Sequence, residues 1–122
     1  MTIELAAIII DAADLNAESH FWHQLLGGTL TRTPTHHFLQ ADGRAALVIQ
    51  LAPDHRAPDW PHAGDQQLHL DFRTDDLAAS DRVALDAGAR RLGSADGTSD
   101  GSDARSRIYA SPAGHPLCLR AA

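Results

Sequence analysis

One cysteine in 122 residues, Cys118, leaves nothing to cross-link within the chain, which excludes a disulfide scaffold and a four-thiolate zinc site. Basic residues are also scarce. Ten Lys and Arg stand against sixteen Asp and Glu, a formal net charge of −6, and a surface of that average sign repels a phosphate backbone, so nucleic acid is not an expected partner. No apolar run approaches the roughly 18–20 residues that span a bilayer, and the stretch from Met1 to Leu5 has no basic residues leading into an apolar segment. The expectation is a soluble, cytoplasmic protein with no membrane partner. What remains suits a single globular domain: nine Gly, six Pro and 43% hydrophobic residues, enough for one core.

The most informative feature is an internal echo. In the first half a β-branched run from Ile3 to Ile10 is followed by Asp14-Leu15, a helical stretch to Leu26 and Gly27-Gly28. In the second half Leu68 to Arg73 reads as a strand, Asp76-Leu77 opens a helix and Gly88 closes it. A short carboxylate accepts the free amides of a first helical turn and glycine takes the left-handed position after a last one, so both helices are punctuated alike. Three strands follow each helix: Leu30–Arg32, His37–Gln40 and Ala46–Leu51 in one half, Arg90–Leu92, Arg107–Ala110 and Leu117–Leu119 in the other, with Gly43 and Gly114 at matching turns. The spacing predicts one domain, 1–122, of α+β class, built from βαβββ units at 3–52 and 66–120 and joined by a Pro-rich linker at 53–65. Trp60, in that linker, is expected to pack on a sheet edge or cover a cavity mouth. The polar, Gly-rich stretch 93–103 is expected to be a mobile surface loop, with a lid as its functional alternative.

Side-chain parity separates the strand faces. Leu68, Leu70 and Phe72 share one face and Gln67, His69, Asp71 and Arg73 the other; in the first strand Ala6, Ile8 and Ile10 oppose Leu5, Ala7, Ile9 and Asp11. The oily set should pack on a helix stripe of Phe21, Trp22, Leu25 and Leu26, leaving His20, His23 and Gln24 outside. If the two units join their sheets, helices cover the convex side and the concave side forms a cup with an apolar and a polar wall. Adjacent His36 and His37 face opposite sides, and parity does not say which enters the cup. His20 and His23 lie three apart on a helix, where a solvated face is the expected role because no carboxylate completes a metal set.

The segments Phe21–Gly27, Trp60-Pro61, Gln66–Phe72, Asp75-Asp76-Leu77 and Ser111–Leu119, in this order, resemble the vicinal oxygen chelate superfamily, and within it glyoxalase-like domain proteins of the bleomycin-resistance type. The likeness covers nearly the whole chain. It implies an eight-stranded, open, barrel-like cup from paired βαβββ units, usually in a homodimer, a fold that hosts metal-dependent lyases, isomerases and dioxygenases as well as metal-free drug-binding proteins. The superfamily's four metal positions fall here on Ala7, Gln50, His69 and Cys118, and only His69 keeps the expected residue type. Ala7 offers no donor atom, Gln50 is neutral and Cys118 is soft, so the expectation is no catalytic metal and no cofactor. Zinc on His69, Cys118 and Gln50 with a water is the alternative.

The leading expectation is therefore a small-molecule-binding protein. Leu5, Ala7, Ile9 and Val48 would form its greasy wall, His69, Asp71, Gln50 and Gln67 would hold a polar end, and Trp60 and Cys118 would lie at the site. The rival is a lyase or isomerase of the same superfamily, with or without a divalent metal, in which His69 is the catalytic acid or base, aided by Asp71. A Cys118–His69 nucleophilic pair is set against a buried, inert thiol. Asp71 and Arg73 would orient a ligand or neutralise each other. A third reading, a structural or interaction domain, requires a filled cup.

Overall fold

The computed structural model describes residues 1–62, 64–92 and 105–122; the expected loop at 93–103 lies outside them. Strand β1 (Ala7–Ala12) leads into helix α1 (Leu15–Leu26), then strands β2 (Thr29–Arg32), β3 (His36–Gln40) and β4 (Ala46–Leu51). The order then repeats as β5 (Leu70–Thr74), α2 (Leu77–Asp86), β6 (Arg90–Arg91), β7 (Ser106–Ala110) and β8 (Pro116–Ala121). Two βαβββ units of α+β class are thus observed, as the repeat predicts. Their eight strands form two four-stranded sheets, β1-β4-β3-β2 and β5-β8-β7-β6. In each, the first strand pairs parallel with the last, Ala7 against Ala46 and Leu70 against Leu117, and the remaining pairs are antiparallel.

Local chemistry accounts for the helix ends. Asp14 Oδ1 accepts from the Ala17 amide at 3.0 Å and Asp76 Oδ1 from the Ala79 amide at 2.9 Å, satisfying donors that a first turn leaves without partners. Gly27, at φ 69°, donates its amide to His23 O at 2.9 Å and turns the chain out of α1.

The first strand is shorter at its start than the β-branched run suggests. Strand β4 begins at Ala46, so only Ala6 O, accepting from the Ala46 amide at 3.2 Å, extends the ladder backwards. Without a neighbour to pair with, Ile3 and Leu5 are exposed, and Leu5 builds no cup wall. The same reason corrects Leu68: it precedes the first β5–β8 pair and is 63% exposed rather than packed under a helix.

Parity otherwise holds. Ile10 and Ala12 are buried on the helix side with Ile8 against them, while Ile9 is 59% exposed on the opposite face. Phe21 and Trp22, both fully buried, form the centre of the core, with Leu25 and Leu26 partly buried beside them. Burying one such large apolar side chain contributes roughly 1.5–3 kcal/mol. Trp22 also reaches the second unit, its ring 5.9 Å from that of Phe72, and α1 packs on α2. A single core therefore serves both units.

Three polar anchors tie the core together. Glu18, fully buried on α1, accepts from Trp22 Nε1 at 2.9 Å, from Ser111 Oγ at 2.7 Å and from the Ala113 amide at 2.7 Å. Ser19 Oγ bonds His37 Nδ1 at 2.7 Å beneath the helix, so His37 is the inward member of its pair. Burial, with the charge of Arg32 nearby, lowers the His37 pKa and favours a neutral ring. In the second unit Asp81, on α2, accepts from Tyr109 Oη at 2.5 Å and Arg91 Nη2 at 2.6 Å, and Arg107 Nη1 lies 3.2 Å away.

Candidate functional site

Two adjoining cavities lie on the side of the sheets that the helices leave open. On the second sheet a hollow of about 280 Å³ is walled by Trp60, Ile108, Pro116 and Leu117, with Gln66, His69 and Cys118 on its polar side. Ser106 and Arg120 complete the lining. Cys118 pairs with Asp71 and Ile108 in the ladder, which places all three on the open face. Linker residue Trp60 is half-buried against this cavity, beside a cis Trp60–Pro61 bond. Of the two roles expected of Trp60, the structure shows it among the residues that line a cavity.

A second hollow, of about 410 Å³, opens where the units meet. Ile9 and Asp11 of β1 line one part, Gln67 and Leu68 another, and Arg56 and His115 a third. Pro116 lines both hollows, so they adjoin. His115 Nε2 bonds Asp11 O at 2.7 Å, His55 Nε2 bonds Ala113 O at 2.9 Å, and the two rings stack 5.2 Å apart. Gly114, at φ 91°, underlies this arrangement: a Cβ there would overlap Ala57 of the linker.

The sequence-predicted site residues are therefore divided. His69, Cys118 and Trp60 line the second-unit hollow, with Asp71 on the same open face; Ile9 and Gln67 line the seam. Ala7, Val48 and Gln50 line neither. Register puts Val48 on the open face between Ile9 and Phe38, where it is only 4% exposed, and puts exposed Gln50 between Asp11 and His36. His36 is thus the cup-side member of its pair, its ring 6.0 Å from that of Phe38 and its Nδ1 2.8 Å from Thr35 Oγ1.

Electrostatics narrow what the second-unit hollow can do. Asp71 pairs with Arg120, Oδ2 to Nε at 3.2 Å, rather than with the neighbouring Arg73. Both side chains are partly exposed, so the pair contributes little stability but cancels charge at the cavity edge. Burial, and after it the hydrogen bond and charge of Asp71, raise the Cys118 pKa. A thiol held protonated is a weak nucleophile, which weighs against a Cys118–His69 pair.

The donor set does not suit the superfamily's metal. His69 and Cys118 share a cavity that Gln50 and Ala7 do not line, and among the described residues no three His, Cys, Asp or Glu side chains cluster closely enough to hold an ion. His23 Nε2 bonds Gly28 O at 3.0 Å at the end of α1, and His20 is exposed. Among the described residues no helix is long and apolar enough to cross a membrane.

The polar cores escaped the sequence reading. Glu18 lies three and four positions before Phe21 and Trp22, on the apolar stripe itself, and an acid there beside an indole N–H is the signal that marks it. Asp81 and Tyr109 carry no comparable local signature, since they meet only through the fold.

Paired βαβββ units with small open-face cavities define a class of ligand-site scaffolds. The sequence profile of the glyoxalase-like domain family matches residues 7–120, and the chain belongs to that family. No curated protein matches it at a significant level. Among solved structures it is similar to a glyoxalase/bleomycin resistance protein/dioxygenase family enzyme from Burkholderia phytofirmans, with TM-score 0.70, 17% identity and 98% of each chain covered. The fosfomycin resistance protein FosX from Listeria monocytogenes has TM-score 0.72 at 14% identity, covering 100% of this chain and 95% of that one. TnmS3, an antibiotic binding protein from Streptomyces, has TM-score 0.62 at 17% identity, covering 98% and 96%. At these identities the likeness shows the fold alone.

Proposed function

We propose that this chain binds a small, partly apolar organic molecule in the second-unit cavity, without the superfamily's metal and without turnover. The carrying observation is the cavity itself: an indole and two aliphatic side chains, Ile108 and Pro116, facing an amide, an imidazole and a protonated thiol. Apolar area there supplies affinity and the few polar groups orient the guest. The same fold serves an antibiotic binding protein, which is in keeping with a sequestering role. The protein acts as a homodimer in the cytoplasm, and exposed Ile9 and Phe38 on the open face of the first sheet are apolar surface that a second copy would cover.

Native mass spectrometry with elemental analysis of freshly purified protein tests both parts. The expected species has twice the 13.1 kDa chain mass and no stoichiometric metal. A tightly held metal at one equivalent per chain would overturn the metal-free reading, and a monomer at micromolar concentration would overturn the dimer.

The position of exposed His69 in the cavity also fits a general acid or base in a lyase or isomerase step. His69→Ala separates the two. A binding protein loses affinity, by roughly three- to tenfold for one hydrogen bond. An enzyme keeps affinity and loses turnover by about 100-fold or more.

A further inference from the structure

We infer that the guest of the second-unit cavity is a neutral, flat aromatic molecule of about two fused rings with one N–H or O–H donor, and that Gln66 selects it through that donor. This inference rests on the ligand-binding reading above and adds the guest's chemical class.

Size comes first. The cavity of about 280 Å³ equals the liquid volume of roughly nine waters at about 30 Å³ each, room for a bicyclic ring rather than an extended drug. Shape and polarity follow from the walls: Trp60 offers an aromatic surface, and the Ile108 and Pro116 side chains offer no hydrogen bonds. Charge is the third constraint. Arg120 is already engaged by Asp71, and Cys118 is held as a neutral thiol, so an anionic guest would have to compete with Asp71 for the guanidinium.

The donor is required by Gln66. Gln66 lines the cavity, and its Oε1 is buried with no hydrogen-bond partner among the described residues. An acceptor left in that state costs about 1–3 kcal/mol. A change of rotamer that swings the whole terminal amide into the cavity, rather than a flip that would trade the buried Oε1 for a buried Nε2, brings Oε1 to a guest's N–H or O–H, which relieves the cost. A guest of the same shape with no donor gains nothing from the rotation.

Indole and benzofuran are nearly the same shape, and differ in that the N–H of one is a ring oxygen in the other. Each is titrated into uniformly ¹⁵N-labelled protein, following the amides of residues 60, 66 and 118. The expected result is that wild-type protein prefers indole by roughly three- to tenfold, the worth of one hydrogen bond. Gln66→Leu should bind both with the affinity that wild-type protein shows for benzofuran. Saturable binding of both probes at these residues with equal affinity in wild-type protein overturns the role of Gln66 and leaves ligand binding standing. No shift at any of these residues up to the solubility of either probe overturns the bicyclic aromatic guest, and with it this inference, while the broader binding reading is tested separately by its own ligand.

Discussion

Glu18→Ala will lower folding stability by about 3–5 kcal/mol, because it removes the one acceptor group on which three donors converge. Trp22 Nε1, Ser111 Oγ and the Ala113 amide all point at this carboxylate, and the first two are fully buried side chains that no solvent reaches. The loss is cooperative in structure as well as energy. Trp22 is held in the core of the first unit, while Ser111 and Ala113 belong to the β7–β8 turn of the second, so one side chain ties helix α1 to the turn that carries Pro116 towards both cavities. With total stabilities of about 5–15 kcal/mol for domains of this kind, the change takes away a large share. Urea denaturation reads it as a lower midpoint at unchanged slope. Glu18→Gln should be milder, about 1–3 kcal/mol, since one carbonyl oxygen still accepts while its amide group faces a donor. A Glu18→Ala midpoint equivalent to less than about 0.5 kcal/mol, the range of an ordinary surface change, would show that the anchor contributes nothing.

That anchor also marks the boundary of what the sequence discloses. Features set by neighbours in the chain were legible: Asp14 and Asp76 cap their helices because the amides they serve lie three residues on, and Ile8 and Ile9 part company because strand side chains alternate. Repetition of those features made the paired units readable. Partners set by the fold were not. Ser111 and Ala113 lie 93 and 95 positions from Glu18, and no spacing rule links them. The site suffered likewise: His69 and Cys118 are brought to one cavity, but Gln50 sits in the other sheet, and hydrogen bonding does not run from β1 into β5 to join the two. Strand limits slipped for a related reason, because Ile3, Leu5 and Leu68 have strand-like side chains but no ladder opposite them.

Asp81→Asn will cost about 2–4 kcal/mol at pH 7, and that cost will fade in acid. Burial alone would raise the Asp81 pKa, but hydrogen bonds from Tyr109 and Arg91 and the charges of Arg91 and Arg107 outweigh it and hold the carboxyl below the usual carboxylate range. The same contact acts in reverse on its partner: burial, then the hydrogen bond and charge of Asp81, push the Tyr109 hydroxyl well above the ordinary phenol range. A carboxyl whose folded pKa is depressed releases its proton more readily in the native state than in the unfolded one. Its contribution is therefore complete above the unfolded value of about 3.9 and is lost as pH falls through the lower folded value. Asparagine has no charge to lose, so the gap between wild-type and Asp81→Asn stability should be constant from about pH 8 to 5 and should narrow below about pH 4. Urea midpoints at pH 7, 5 and 3 measure it. A gap as wide at pH 3 as at pH 7 would assign the effect to shape rather than charge, leaving the Tyr109, Arg91 and Arg107 contacts as packing only.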